Sequence, residues 1–216
     1  MSARLKVAIA IASKLLGKMQ QKLTKELAEK LKKMEGEVRG VVFKTDLEFV
    51  LKEKGKEGLK KLKEKLKEIG CEIDYEKINP MGFYPLGLRI ISLLAIKEVF
   101  NFNEEKIKEM GSSAPKLSLL IKLFVKFFFS IQKTAVQVPE IWKKHYTIGN
   151  LEVEVNEEKR YVILRLKDFL GHPIFCVYLE GYFSTISQIV VNQPVTSQET
   201  KCPFKGGDFH EYLIRW

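Results

Sequence analysis

The chain closes on "ETKCPFKGGDFHEYLIRW", Glu199 to Trp216, a stretch holding residue types from which a metal centre can be made. Cys202 and His210 offer a thiolate and an imidazole, ligands that suit zinc, and Cys176 or Glu199 are conceivable additions. A closed zinc site needs about four ligands, and the C-x-x-C spacing that announces one is missing. The stretch is therefore read first as a turn closing a sheet, with zinc at Cys202 and His210 as the secondary expectation. Catalysis finds less support. Ser184, Ser187 and Cys176 lack a neighbouring His–Asp constellation, and His172 precedes a proline in a turn. "KGGD" lacks the strand-to-helix setting of a phosphate loop. No enzyme is expected.

The elements that must position these residues follow from periodicity. Leu16, Met19, Leu23, Leu27, Leu31 and Met34 form one apolar stripe on a helix, preceded by a start that is apolar on more than one side. Residues 1–34 are thus expected to form an amphipathic helix that packs on its own domain, dimerises, or lies on a membrane surface. "EVRGVVFK" reads as a strand, and Thr45 with Glu48 as a capping box opening the next helix. Gly55 and Gly58 interrupt that helix. Leu59, Leu62, Leu66 and Ile69 then face inward up to the stop at Gly70. "NPMGFYPLG" reads as a loop, "LRIISLLAIKEVF" as a buried helix, and Asn103 as the cap of a short helix ending at Gly111.

A long apolar helix is expected from about Ser113, with Pro115 in its first turn and Pro139 breaking it before "EIWKKHY". Beyond Gly149 the period changes to two. "NLEVEV" and "RYVILRL" form a hairpin across "NEEK", "IFCVYLEGYFSTISQIV" a helix, and Val195–Lys201 and Phe209–Arg215 two last strands. The fold class is α+β: N-terminal helices on a C-terminal antiparallel sheet of four to five strands, with a helix between two hairpins.

Composition narrows the partners. Residues 1–70 carry 19 Lys/Arg against 10 Asp/Glu, nearly all of the net +10. That basic third could meet an anionic membrane surface or a protein partner. With few aromatics and with Glu mixed throughout, it is not expected to bind nucleic acid. Three scattered cysteines indicate a reducing, cytoplasmic setting, and the Lys/Glu-rich balance suggests a thermophile. "LSLLIKLFVKFFFSI" contains Lys122 and Lys126 and is too short to span a bilayer.

The C-terminal pattern resembles the closing signature of four-vinyl-reductase domains, E-T-x-C-x-x-x-G, through Glu199, Thr200, Cys202 and Gly206. His210 and Tyr212 stand where that family has Cys and Phe. "MEGEVRGVVFKTDLEFVLKEKGKEGLKKL" and "PEIWKKHY" before a hairpin are similar to heme–nitric oxide/oxygen-binding (H-NOX) domains. The two families and the TRAPP tethering subunits share one fold, and the resemblance covers residues 35–216. It implies an internal pocket for a small apolar ligand, a fatty acyl chain or an aromatic compound. The apolar helices place Leu120, Phe124, Phe128 and Tyr178 on its wall, and the alternative is a filled core serving as a scaffold or adaptor. The resemblance implies sensing rather than catalysis; the N-terminal helix, outside the resemblance, is read as the route to a homodimer or protein partner. Heme is not expected. The helix before the hairpin lacks the axial histidine, His145 follows Pro139, and Tyr161–Arg165 carries Ile163 where the H-NOX Tyr-x-Ser-x-Arg motif has serine.

Overall fold

The structure, a computed structural model, describes residues 22–117 and 130–216. Helix α1 (Lys25–Lys32) is capped by Thr24, whose hydroxyl accepts from the Leu27 N–H, and it buries Leu27, Ala28 and Leu31. Strand β1 (Glu37–Arg39) pairs antiparallel with β2 (Phe83–Pro85), which makes part of the expected loop a strand. Helix α2 (Val41–Glu68) starts four residues before Thr45. Thr45 is therefore inside the helix rather than capping it, and its hydroxyl donates to the Val42 carbonyl. Residue 40 must be glycine because the Asn79 backbone comes so close that a Cβ there would lie 2.1 Å from its carbonyl oxygen.

Gly55, at φ 65°, breaks α2 where the sequence places an interruption. Leu59, Leu62 and Leu66 beyond it are buried on the expected face. Helix α3 (Leu86–Val99) is buried over most of its surface, as its composition demands. Helix α4 (Glu104–Leu117) begins with Asn103 accepting from the Lys106 N–H, then continues through Gly111 instead of ending there. The long helix expected from Ser113 is not one element. Ser113–Leu117 close α4, residues 118–129 lie outside the described residues, and Ser130, in extended backbone, caps a new helix, α5 (Ile131–His145).

The C-terminal half follows its period closely. Strands β3 (Asn150–Asn156) and β4 (Tyr161–Lys167) pair over seven residues from Asn150–Lys167 to Asn156–Tyr161. Helix α6 (Ile174–Val191) follows, then β5 (Thr196–Lys201) and β6 (His210–Arg215). The sheet order is β3-β4-β6-β5, antiparallel throughout. Val162, Leu164, Leu166, Tyr212 and Ile214 point from one sheet face into the core, while Arg165 and Lys167 point away. Helix α6 is apolar and long enough to cross a membrane by length and composition. Half of it is buried against the rest of the chain, which is also how a core helix of an α+β domain looks.

Candidate functional site

Two places in this fold gather functional groups. The first is at the C-terminal end of the sheet, where four ligand-type side chains meet. Cys176 comes from the first turn of α6, Glu199 from β5 beside a register shift, Cys202 from the turn after β5, and His210 from the start of β6. Their ligating atoms all lie within 4.8 Å of one another. The two sulfurs are 3.5 Å apart, Cys176 Sγ is 3.8 Å from His210 Nδ1, and His210 Nδ1 is 3.0 Å from Glu199 Oε1.

The turn that sets this up is a 3-10 turn (Pro203–Lys205) followed by Gly206 at φ 90°. The Lys205 and Gly207 N–H groups both donate to the Cys202 carbonyl. The sequence reading favoured a plain sheet-closing turn. The turn is present, and it delivers Cys202 and His210 to the two additional candidates, Cys176 and Glu199. No local spacing revealed this, because Cys176 approaches from a helix 26 residues away.

The electrostatics of the cluster match its geometry. Burial opposes charge on His210, but hydrogen bonding to Cys202 and Glu199 outweighs it and raises the pKa to about 9. Cys202 is lowered to about 6, first by the hydrogen bond from Cys176 and further by His210. Without a metal, the acidic groups of the cluster thus favour a proton on the imidazole between them. A divalent cation replaces that proton by the same logic. His210 Nε2 lies 3.2 Å from the Phe169 carbonyl, to which it donates, and this leaves Nδ1 as the ligating nitrogen. A tetrahedral zinc with bonds of about 2.0–2.3 Å spaces its ligand atoms roughly 3.3–3.8 Å apart, which the sulfur–sulfur and Cys176–His210 separations match.

The second place is a cavity of about 140 Å3 between α2, α4, α5, α6 and the inner face of β3 and β4. Its wall is mostly apolar, with Val138, Ile141, Val153, Val162, Leu164 and Phe183 among its side chains. Trp142 and Tyr146 on α5 stack at 4.2 Å beside it. Tyr178 lines the cavity; Leu120, Phe124 and Phe128 lie outside the described residues. Sequence reasoning missed Thr45, Trp142, Tyr146 and Tyr182 on the wall. The four-residue spacing of Trp142 and Tyr146, on one helical face, was the available signal.

His145 also lines the cavity. Pro139 does not end α5, which runs on to His145, so the histidine is carried inward by the helix that precedes the hairpin. Its Nδ1 lies 2.9 Å from the Ile141 carbonyl, to which it donates. Burial holds its pKa below the ordinary value, partly offset by that bond, and the nearby Arg39 and Lys144 lower it further. A neutral ring with Nδ1–H committed keeps its lone pair on Nε2, the state a metal ligand requires.

Helices enclosing an apolar cavity against a four-stranded antiparallel sheet define an H-NOX-like fold. Among solved structures the chain is similar to an H-NOX protein from S. oneidensis in the Fe(II)NO ligation state. The match has TM-score 0.63 and 14% identity, and covers 82% of this chain and 98% of that one. A mutant of the S. oneidensis protein in the Fe(II) state matches at TM-score 0.65 and 14% identity, over 82% and 95%. A structure described under porphyrin distortion and heme redox potential matches at TM-score 0.55 and 15% identity, over 82% and 97%. No family model and no curated protein matches the chain.

These neighbours overturn the expectation of no heme, since their descriptions name Fe(II) and heme. The physical source of the error is Pro139: a break was expected there, and the continuing helix puts an imidazole on the cavity wall. Two features stand against a simple fit. Arg165 is turned to the outer face of the sheet, paired with Glu154 at 2.9 Å and Glu211 at 2.8 Å. The cavity also matches in size a void of about 150 Å3 that takes up benzene. A porphyrin would require the helical wall to move outward.

Proposed function

We propose that this chain is a non-enzymatic sensor module whose internal cavity takes a small ligand. The likeness to H-NOX domains brings heme as the first cofactor class to test. The observation that carries the proposal is a neutral imidazole, His145, on the wall of an otherwise largely apolar void. His145 would hold the iron through Nε2, with Ile141 fixing the ring through Nδ1. Iron porphyrin supplies an open coordination position for a diatomic gas. The chain's own part is to orient the imidazole and to keep water out with Trp142, Tyr146 and the β3–β4 side chains.

Hemin titration followed by absorbance tests this. A saturable Soret shift at one equivalent, lost in His145→Ala, supports it. The same spectrum in both proteins removes His145 from the role. The second reading is direct capture of a small apolar guest, an aromatic compound or short acyl chain. The size and composition of the wall favour it, and binding of such a guest without any Soret shift would select it.

We also propose that the C-terminal cluster is a structural metal site, with zinc as the first candidate from its sulfur, nitrogen and carboxylate set. Elemental analysis of the purified chain should find about one zinc per molecule. Cys202→Ser with His210→Ala should abolish it and lower the melting temperature. A wild-type chain that takes up no zinc from a stoichiometric supply leaves the stretch a turn only.

A further inference from the structure

The cavity wall is polar in several places, Thr134, His145 and Ser187 among them, and one polar side has a buried charge pair behind it. Thr45, Tyr146 and Tyr178 line that side of the void. Arg89 on α3 and Asp46 on α2 form an ion pair beneath them, with side chains 0% and 1% exposed. Beyond the pair itself, the three guanidinium nitrogens and both carboxylate oxygens have no hydrogen-bond partner among the described residues. Arginine carries five N–H donors and does not shed its proton on burial, so one carboxylate cannot satisfy it.

The guanidinium carbon lies 4.9 Å from the Tyr178 ring centre, so the field of Arg89 falls on a side chain that faces the cavity. Burial lifts the Tyr178 pKa to about 12, while Arg89 acts in the opposite sense and favours release of the phenolic proton. Thr45 has already committed its proton to the Val42 carbonyl at 2.9 Å. Arg89 favours proton release at Tyr146 as well, but it is the Tyr178 ring that the guanidinium lies over, which makes Tyr178 the donor it polarises most directly.

We propose that the cavity selects a neutral, mainly apolar guest bearing one carbonyl-type acceptor, seated against Tyr178 with Arg89 as the positioning residue behind it. This rests on the reading that the cavity takes a ligand. The charge count decides the class. Asp46 already balances Arg89, so an anionic guest would leave net negative charge in a low-dielectric corner. A pure hydrocarbon fits the walls but forgoes the hydrogen bond.

The test compares three guests of similar size, ethylbenzene, acetophenone and benzoate, titrated into the full chain by calorimetry. Acetophenone should bind roughly 3- to 10-fold more tightly than ethylbenzene, the range one modest hydrogen bond supplies, and benzoate should be the weakest. Tyr178→Phe should bring the affinity ratio of acetophenone to ethylbenzene to about one. The double variant Arg89→Met with Asp46→Leu, which removes the pair without stranding a charge, should shrink the same ratio. If it fails to fold, Tyr178→Phe alone decides. Equal affinities in the wild type, an unchanged ratio in Tyr178→Phe, or tightest binding of benzoate would each overturn the proposal. Binding of none of the three would overturn the apolar-guest reading of the cavity and this one with it.

Discussion

His172 sits at the entrance to α6, 4% exposed, with its Nδ1 accepting from the Ile174 N–H at 3.1 Å. Burial is the main reason its pKa falls to about 4, with Lys97 acting in the same direction. A histidine kept neutral in the fold binds its proton more readily once unfolded. Its contribution is fully present above the unfolded value near 6.5 and is lost as pH falls through about 4. At full size it amounts to about 3 kcal/mol. Denaturant titrations between pH 7 and pH 4 should show stability falling in the wild type, with a shallower slope in His172→Asn, whose amide oxygen can still accept from Ile174. Equal slopes would mean that the acid sensitivity lies in other groups. Pro139 and Cys176 show the limit of residue-by-residue reading. Each was visible in the chain, yet the persistence of a helix through the first and the approach of a distant helix bearing the second depend on packing.

At the scale of elements, α4 and α6 cross in close backbone contact. A Cβ on Gly111 would lie 2.0 Å from the Tyr178 carbonyl oxygen, and one on Gly181 would lie 2.0 Å from that of Lys108. The two backbones touch, sealed by Ser112 donating to the Gly181 carbonyl and by the Lys108–Glu180 ion pair at 2.5 Å. Both glycines are therefore small because of a neighbour. Read locally, Gly111 looked like a helix stop, since sequence does not reveal a crossing partner. Gly111→Ala should cost about 3 kcal/mol of stability by overpacking, read from thermal or denaturant unfolding. Gly181→Ala should behave alike, and the double variant should fall short of the sum, because both changes open one crossing. Full additivity would show that the two helices do not meet there.

For the molecule as a whole, the described part of the N-terminal segment is continuous with the core. Leu23, Leu27, Ala28 and Leu31 are buried, and the Leu31 carbonyl lies so near Gly87 that a Cβ there would overlap it. The Leu23 N–H donates to Glu98 at 2.6 Å, and Glu98 pairs with Lys65 at 2.9 Å. We expect deletion of residues 1–34 to cost several kcal/mol, at about 1.5–3 kcal/mol per buried leucine, a large share of a domain's margin. A melting curve unchanged by that deletion would make the segment an appended module instead.

Periodicity along the chain located the four strands of the C-terminal sheet and most of the helices, but not β2. Alternation in 150–156 and 161–167 placed a hairpin, the stripe of Leu59, Leu62 and Leu66 placed a face, and the terminal strands were found within a residue. Such patterns are local, because burying one face of an element leaves its period in the chain. Only the tertiary structure decided what the interior holds. It brought Cys176 and Glu199 to Cys202 and His210, turned His145 onto a cavity, and set Arg89 behind Tyr178. These are distances between residues far apart in sequence. They depend on how the helices cross the sheet, and no spacing along the chain encodes them.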